Sequence, residues 1–471
     1  MRDSGAGHAG TWLERPARDC LPMNPVPADV DRAAEHEPGG GEPSRLSALP
    51  RLLAGRLREN LTDPGTLLAL LLIAALVVRI AWLTLPQTSL IFDETYYVNA
   101  ARALLGWTIQ HGAPYAGSPV GLDPNTEHPP LGKLLMALSM AGFGDNGIGW
   151  RLPSVIAGMV ALIAVFQIVR SAGETQRLAL LVVGFVAFEN LTLVHGRIGT
   201  LDMLVLAPIL VGAWLALRDR WAAAGAATGI GMLMKLTALY GLLALLIMVA
   251  LAIWATWRRQ RRVRLADFRP LVALLAAFSI VTIGGLWLLD MRFSSYANPI
   301  EHLRHMVEYG ANLARGVIGP GSCPSNQSTP WQWLFNECQM SYLRVDVTVK
   351  AAEKIVSIRP TVDFRGAINP ILIGSLPIAF LFTGWLAWKR RSRLATWTLI
   401  WAGANYLPYV ALALFSQRVT YLYYFLPVIP ALAVATALML RRSGLPRLVT
   451  FGYLAALVAT FVSYFPFRQI P

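Results

Sequence analysis

The sequence of 471 residues has little charge and few cysteines. Only 14% of the residues are charged, whereas 55% are hydrophobic and the mean hydropathy is +0.49. Water cannot solvate so apolar a surface, which excludes an ordinary soluble protein. Three cysteines exclude a disulfide-built scaffold and a zinc ribbon. Cys323 and Cys338 lie close together in a polar segment, where they either pair in an oxidising compartment or remain free thiols.

Common motifs of soluble enzymes are also missing from the sequence. It contains no Gly-Lys-Ser/Thr phosphate loop, no Gly-x-Ser-x-Gly elbow and no His-Glu-x-x-His pair. A nucleotide-linked substrate therefore has no evident site. An internal repeat of the kind that marks secondary transporters is absent as well.

Long apolar runs dominate the sequence. Most of them are close in length to the ~20 residues that a helix needs to span a bilayer. They predict an all-α polytopic membrane protein with about eleven transmembrane helices, at roughly 65–85, 150–169, 178–193, 201–217, 221–234, 237–257, 270–289, 370–388, 395–415, 423–440 and 447–465. Residues 1–60 are rich in Gly, Pro, Glu and Arg and cannot bury enough surface to offset ordering entropy, so we expect a disordered cytoplasmic tail. Residues 61–471 then form the membrane domain.

The net charge of +14 is concentrated in basic clusters that adjoin apolar runs, the densest of them within 258–264, 389–393 and 441–447. This pattern indicates membrane topology and not nucleic-acid binding. Because cytoplasmic loops carry the excess of Lys and Arg, the clusters place the N-terminus in the cytoplasm and the C-terminus outside it. The two long connections, 86–149 and 290–369, then lie outside. We expect both to be structured, the first with an amphipathic interfacial helix from Leu131.

Two adjacent carboxylates, Asp93 and Glu94, follow the first apolar run at the outer interface. Partial desolvation raises the basicity of a carboxylate, so this pair is suited to accepting a proton from a substrate hydroxyl. The structural alternative is an ordinary acidic helix cap, or an ion pair with Arg79 or Arg102.

Cationic side chains gather on the same predicted face. His128 and Lys133 lie at the start of the interfacial helix, where they can bind a phosphate or orient a carboxylate, or simply begin the helix. Arg197 and Asp202 lie at membrane depth. Either they have a function there, or they form an ion pair with each other. A lipid phosphate suits this face, because five basic groups neutralise its charge as it leaves: His128, Lys133, Arg197, Lys235 and Arg418.

Several motifs, in this order along the chain, resemble the lipid-carrier-dependent membrane glycosyltransferases of the C-type fold, and among them prokaryotic protein O-mannosyltransferases. The motifs are Arg79, Phe92-Asp93-Glu94, His128-Pro129-Pro130-Leu131-Gly132-Lys133, Arg197 with Leu201-Asp202, Asn369-Pro370, and Arg418 through Pro427. One departure is that a His found in many family members is missing around Tyr423-Tyr424, which leaves the donor and the acceptor open.

The resemblance implies transfer of mannose, with inversion, from polyprenyl-phosphate mannose to Ser or Thr hydroxyls of exported proteins, on the extracytoplasmic side of the plasma membrane. It implies that Asp93 is the catalytic base, with Glu94 beside it. It also implies that Arg197, Arg418 and Lys133 bind the carrier phosphate, and that Arg79, His128 and Asp202 shape the site.

Two other functions fit the sequence. Relatives with the same helical core transfer a lipid-phosphate-linked sugar to a lipid or a cell-envelope glycan, and a transporter or flippase also has many helices and charges at membrane depth. The outer histidines are scattered and form no compact ligand pattern, so we expect no metal and no other cofactor. The expected partners are the polyprenyl-phosphate sugar donor, a protein, lipid or glycan acceptor, and the bilayer, but no nucleic acid.

Overall fold

The structure, a computed structural model, describes residues 63–86, 89–313, 323–351 and 354–465. The predicted disordered tail, residues 1–60, lies outside these ranges. Residues 64–69 are the beginning of the first helix, and the described residues from Leu70 onward form one compact, mostly helical body.

Every one of the eleven predicted apolar runs is helical over most of its length. In chain order the helices are α1 (Pro64–Ile80), α2 (Glu94–Leu105), α3 (Leu131–Phe143), α4 (Gly147–Ser171), α5 (Gln176–Ala187), α6 (Asn190–His195), α7 (Leu201–Leu217), α8 (Trp221–Met232), α9 (Ala238–Gln260), α10 (Arg269–Ser279), α11 (Gly285–Phe293), α12 (Pro299–Asn312), α13 (Pro330–Trp333), α14 (Pro370–Gly374), α15 (Leu376–Lys389), α16 (Arg393–Phe415), α17 (Ile429–Arg442) and α18 (Arg447–Ser463). A π-helical turn, Ile280–Gly284, joins α10 to α11, and a 3₁₀ turn, Leu422–Val428, precedes α17.

Five helical stretches in the described residues are each long and apolar enough to cross a membrane: Gly147–Ser171, Ala238–Gln260, Leu265–Phe293, Arg393–Phe415 and Leu422–Arg442. Shorter apolar helices accompany them. Large apolar side chains such as Leu381 and Leu288 remain exposed on the outside of the bundle, which is the surface expected to face lipid. The chain is therefore a mostly helical, membrane-embedded protein, and the count of eleven crossings stays a prediction.

Close packing between helices depends on small residues. At Gly225 on α8, a Cβ atom would collide with the carbonyl oxygen of Leu274 on α10. Glycine lets the two backbones approach, as small residues commonly do between membrane helices. The centre of the bundle is formed by α4 and α7, whose facing sides are buried.

Four of the connections predicted to be cytoplasmic lie together at one end of the bundle. Arg393 donates hydrogen bonds to the carbonyls of Ser171 (3.4 Å) and Leu217 (2.5 Å). Arg442 pairs with Glu174 at 2.6 Å. Four separate connections thus meet through basic side chains, as an alternating topology requires.

The two long connections predicted to be outside are both folded. The first contains α2 and α3. The second contains α12, α13, a Cys323–Cys338 disulfide and an antiparallel hairpin of β1 (Met340–Ala351) and β2 (Lys354–Gly366). The all-α prediction missed this hairpin, although residues 343–350 alternate apolar and polar types as a strand does. The pairing of Cys323 with Cys338 resolves the alternative that the sequence left open.

Candidate active site

Asp93 lies at a sharp turn directly before α2. Phe92 adopts a left-handed backbone conformation (φ 52°), which is unfavourable for a bulky residue. Its ring packs edge to face on Tyr342 and Tyr423, at centroid distances of 5.2 and 5.7 Å, and so holds the turn in place. Asp93 occupies the N-cap position of α2 but makes no side-chain cap bond, so its carboxylate remains available for chemistry.

The environment of Asp93 makes it a better base than a solvated aspartate. Burial raises the pKa of the Asp93 carboxyl to about 7. The nearby Lys235 ammonium lowers this pKa in part, and the Asp202 carboxylate raises it. The side chain is only half-buried and stays reachable. A carboxylate with this pKa is matched to proton abstraction near neutral pH.

Glu94 has a different role from its neighbour. It is fully buried and forms a two-pronged ion pair with Arg151, with N···O distances of 2.7 and 2.9 Å. It also accepts the backbone N–H groups of Ile91 and Gly199, each at 2.8 Å. Glu94 therefore ties the turn at Asp93 to α4 and to the segment before α7, and it has no free oxygen for a substrate.

The alternative partners predicted for the acidic pair are wrong. Arg102 pairs with Asp145 at 3.0 Å, and the partner of Glu94 is Arg151, which the sequence analysis did not single out. The available signal was its position inside an apolar run, since a charge at membrane depth needs a partner.

Asp202 and Lys235 form the second buried ion pair of the site, at 2.7 Å. His195 lies 3.5 Å from the other oxygen of Asp202 and hydrogen-bonds Tyr342 at 2.6 Å. The alternative in which Arg197 pairs with Asp202 is therefore wrong. The Lys235 ammonium also lies over the ring of Tyr423, 5.4 Å from its centroid, which places it beside the aromatic wall of the site.

Two polar groups near this pair have unused hydrogen-bonding capacity. Within the described part of the chain, the buried Nε of Arg418 and the buried Nδ1 of His128 have no hydrogen-bond partner. His128 lies within electrostatic range of Lys235, Asp202 and Arg418. Burial and the Lys235 ammonium hold the pKa of His128 well below its usual value, so its ring is neutral. Unsatisfied groups of this kind are what an anionic ligand with hydroxyl groups would satisfy.

Lys133, predicted to bind the carrier phosphate, is fully occupied in the structure. Its ammonium pairs with Asp123 at 2.7 Å and donates to the carbonyls of Asn125 and His128. The side chain is entirely buried. This arrangement favours a structural role, in which Lys133 fixes the loop before α3, over the predicted contact with a phosphate.

Arg197 and Arg79 lie on the side of the site where Arg151 is. Arg197 donates to the carbonyl of Ala81 at 2.5 Å and lies within electrostatic range of Arg151 and Arg79. Arg79 donates to the carbonyls of Ala75 and Ala187. The predicted roles of these two arginines, in phosphate binding and in shaping the site, stay predictions.

The site thus combines one available base with cations and tyrosines. Asp93 and Tyr424 both act electrostatically on Tyr423, Lys235 and Tyr424 are electrostatic neighbours, and both Arg418 and Tyr424 act on Tyr240. In the segments that the structure describes, no group of three His, Cys, Asp or Glu side chains is arranged to hold a metal ion. A hydroxyl nucleophile and a phosphate leaving group are the reactants that such a site can serve.

Comparison with known structures identifies the class of fold. The chain aligns with a chain of the Saccharomyces cerevisiae protein O-mannosyltransferase Pmt1–Pmt2 complex bound to the sugar donor. The TM-score is 0.64 at 12% identity, over 86% of this chain and 90% of that one. ArnT from Cupriavidus metallidurans bound to undecaprenyl phosphate aligns with a TM-score of 0.52 at 20% identity, over 83% and 62%. The chain therefore has the fold of these two proteins, as the resemblance found in the sequence implied.

Sequence comparison finds protein mannosyltransferases among the relatives of this chain. Residues 127–287 match the family described as dolichyl-phosphate-mannose-protein mannosyltransferase. A polyprenol-phosphate-mannose–protein mannosyltransferase of Corynebacterium glutamicum is 32% identical over 160 residues, which are 32% of this chain and 29% of that one. The Mycobacterium tuberculosis protein of the same name is 32% identical over 115 residues, 24% of this chain and 20% of that one. The aligned segments thus span less than a third of the relatives' length.

Proposed function

We propose that this chain is a membrane glycosyltransferase that moves mannose from polyprenyl-phosphate mannose to Ser or Thr hydroxyls of exported proteins. The observation that carries the proposal is the position of Asp93 beside the Lys235 ammonium, with His128 lying within electrostatic range of both Lys235 and Arg418. The names of the sequence relatives support the choice of mannose and of a protein acceptor.

The reaction is a single displacement at the anomeric carbon. The acceptor oxygen forms a bond to this carbon while the bond from the carbon to the phosphate oxygen breaks, so the configuration inverts. Asp93 takes the hydroxyl proton, and the departing phosphate keeps the electron pair. Lys235 and Arg418 neutralise the charge that develops on the phosphate, since ionic contacts strengthen in a site that excludes water.

An apolar cavity of about 500 Å³ supports a lipid carrier. Side chains of α3, α4, α7 and α8 line it, including Leu138, Ile156, Val211 and Ile230, together with Met234 just after α8. The cavity is lined in part by Met234, the residue that directly precedes the proposed phosphate ligand Lys235 in the chain. We propose that it receives part of the carrier's hydrocarbon chain, with the site opening on the extracytoplasmic side of the plasma membrane.

The test of this function is transfer by purified protein in lipid nanodiscs. Radiolabelled polyprenyl-phosphate mannose is offered with a Ser/Thr-rich peptide, with the same peptide carrying Ala at every Ser and Thr, and separately with lipid and glycan acceptors. We expect label only in the Ser/Thr peptide. Label found solely in a lipid or glycan would refute the protein acceptor and leave the other glycosyl transfer as the function.

The pKa of Asp93 determines the acidic side of the pH profile. The base must be unprotonated to accept a proton, and burial raises its pKa to about 7. We therefore expect kcat/KM to rise with pH up to about 7 and to level off above that value. The steady-state profile of the wild-type protein checks this, with Asp145→Asn as a control that keeps the same rise. A profile that is flat below pH 7 would contradict the assignment.

Chelation is expected to leave transfer unchanged. The reaction needs charge neutralisation at the phosphate, and we propose that Lys235 and Arg418 provide it without a divalent ion. Initial rates measured before and after EDTA treatment check this. Activity that disappears with the chelator and returns with one divalent ion would show a metal requirement.

A further inference from the structure

A second apolar cavity, outside the proposed active site, is a groove between α9 and the start of α10. Its volume is about 560 Å³. One wall is formed by apolar side chains of α9 between Leu246 and Trp257, and the other by Val263, Phe268 and Leu271. Trp254 and Trp257 are 51% and 42% exposed although they line the groove. The groove is therefore open to the surroundings of the bundle.

The groove lies toward the end of α9 that is far from Lys235. Lys235 comes just before α9, which has 23 residues and is therefore about 35 Å long. The groove follows the second half of this helix, from Leu246 to Trp257, over about 17 Å. One leaflet contributes about 15 Å to the hydrocarbon core of a bilayer. The groove thus matches the depth of a single leaflet, on the side predicted to be cytoplasmic.

Arginines gather where the groove reaches the end of α9. Residues 258–269 contain one carboxylate, Asp267, and six arginines: Arg258, Arg259, Arg261, Arg262, Arg264 and Arg269. Asp267 accepts the backbone N–H of Arg264 at 2.8 Å. Among the residues that the structure describes, none of the six arginines forms an ion pair. Most of this positive charge is therefore unbalanced within the described part of the chain.

Two of these arginines lie against the wall of the groove. The guanidinium carbon of Arg258 is 5.0 Å from the ring centroid of Trp254, and that of Arg261 is 5.4 Å from the ring centroid of Trp257. Both rings line the groove. A guanidinium that lies over an aromatic face still has N–H groups along its edge, and these can bind an oxygen anion. An apolar groove and two cations suited to a phosphate therefore lie side by side.

We propose that this groove binds an anionic phospholipid, with an acyl chain along α9 and the headgroup phosphate on Arg258 and Arg261. Charge complementarity identifies the occupant. Any lipid covers the apolar wall, but only an anionic one also neutralises the arginines, and the cytoplasmic leaflet is the one whose surface is negatively charged. A guanidinium donates two parallel hydrogen bonds to a phosphate. The proposal requires a membrane-embedded chain and does not depend on the proposed function.

Native mass spectrometry of the full-length protein in detergent tests the proposal. The probes are phosphatidylglycerol and phosphatidylcholine with identical acyl chains. We expect the wild type to bind phosphatidylglycerol about 5- to 30-fold more tightly, the effect of one or two arginines at a membrane surface. Arg258→Gln/Arg261→Gln is expected to lose this preference. The control Lys389→Gln/Arg390→Gln removes two cations that also lie over tryptophan rings, and we expect it to keep the preference.

Ala250→Trp fills the groove and leaves every arginine in place. Ala250 lines the groove and is exposed, so a larger side chain there does not disturb the core. We expect weaker binding of phosphatidylglycerol at an unchanged midpoint of thermal unfolding. Unchanged binding in this variant would overturn the proposal, as would equal affinity of the wild type for the two lipids. Polyprenyl phosphate that needs Arg258 and Arg261, when phosphatidylglycerol does not, would also overturn it and assign the groove to the carrier.

Discussion

Asp93→Asn is expected to lower kcat by about 10²- to 10⁴-fold, the range that a general base contributes. The substitution keeps the size of the side chain and removes the oxygen that accepts the proton. The cations that we propose hold the phosphate are unchanged, so we expect the affinity for polyprenyl phosphate to remain similar. Single-turnover transfer and equilibrium binding of the carrier lipid, measured on the same preparation, check both parts.

Asp145→Asn is the matched control for this variant. Asp145 also lies in the first outer connection, but it pairs with Arg102 and accepts the indole N–H of Trp150 at 2.6 Å. We expect it to retain turnover. Undiminished turnover of Asp93→Asn would show that another group takes the proton. Protein that moves a lipid across the membrane but glycosylates no acceptor would instead indicate a transporter.

Breaking the Glu94–Arg151 pair is expected to have the largest effect on stability. Glu94→Gln leaves the Arg151 guanidinium buried without a counter-charge, and removing one partner of a buried pair typically costs about 3–5 kcal/mol. We therefore expect a marked fall in the midpoint of thermal unfolding in detergent. We also expect weaker activity, because the carboxylate fixes the turn that carries Asp93.

Glu308→Gln provides the comparison for that loss of stability. Glu308 pairs with Arg304 at 2.6 Å on an exposed face of α12, where solvent screens the interaction. We expect no measurable change in its unfolding midpoint. Equal midpoints for Glu94→Gln and the wild type would show that the buried pair does not stabilise the turn.

Much of the fold was predictable because membrane helices have a strong local signal. Apolar runs of about 20 residues identify themselves by composition alone, and all eleven segments are helical. The hairpin was missed because the second outer connection lacks such a signal and its alternation is short. The Cys323–Cys338 pairing depends on which residues the folded loop brings together, which spacing alone does not determine.

The site was only partly predictable. Asp93, His128 and Arg418 were identified as candidates because charged residues near a membrane face are costly without a purpose. The structure brings Asp93 and His128 near Lys235 and Asp202, and His128 near Arg418. The sequence did not predict which cation pairs with which carboxylate. The partner of Glu94 is 57 residues away at Arg151, and Asp202 pairs with Lys235 and not with Arg197, which is nearer in sequence.

The central claim is that Lys235 and Arg418 hold the carrier phosphate beside Asp93. The most direct test is an experimental structure of the protein in nanodiscs with polyprenyl phosphate bound. We expect the phosphate to contact the ammonium of Lys235 and the guanidinium of Arg418, with the Asp93 carboxyl group facing the space where the sugar would attach. A phosphate bound elsewhere, with Lys235 and Arg418 making no contact to it, would contradict the claim.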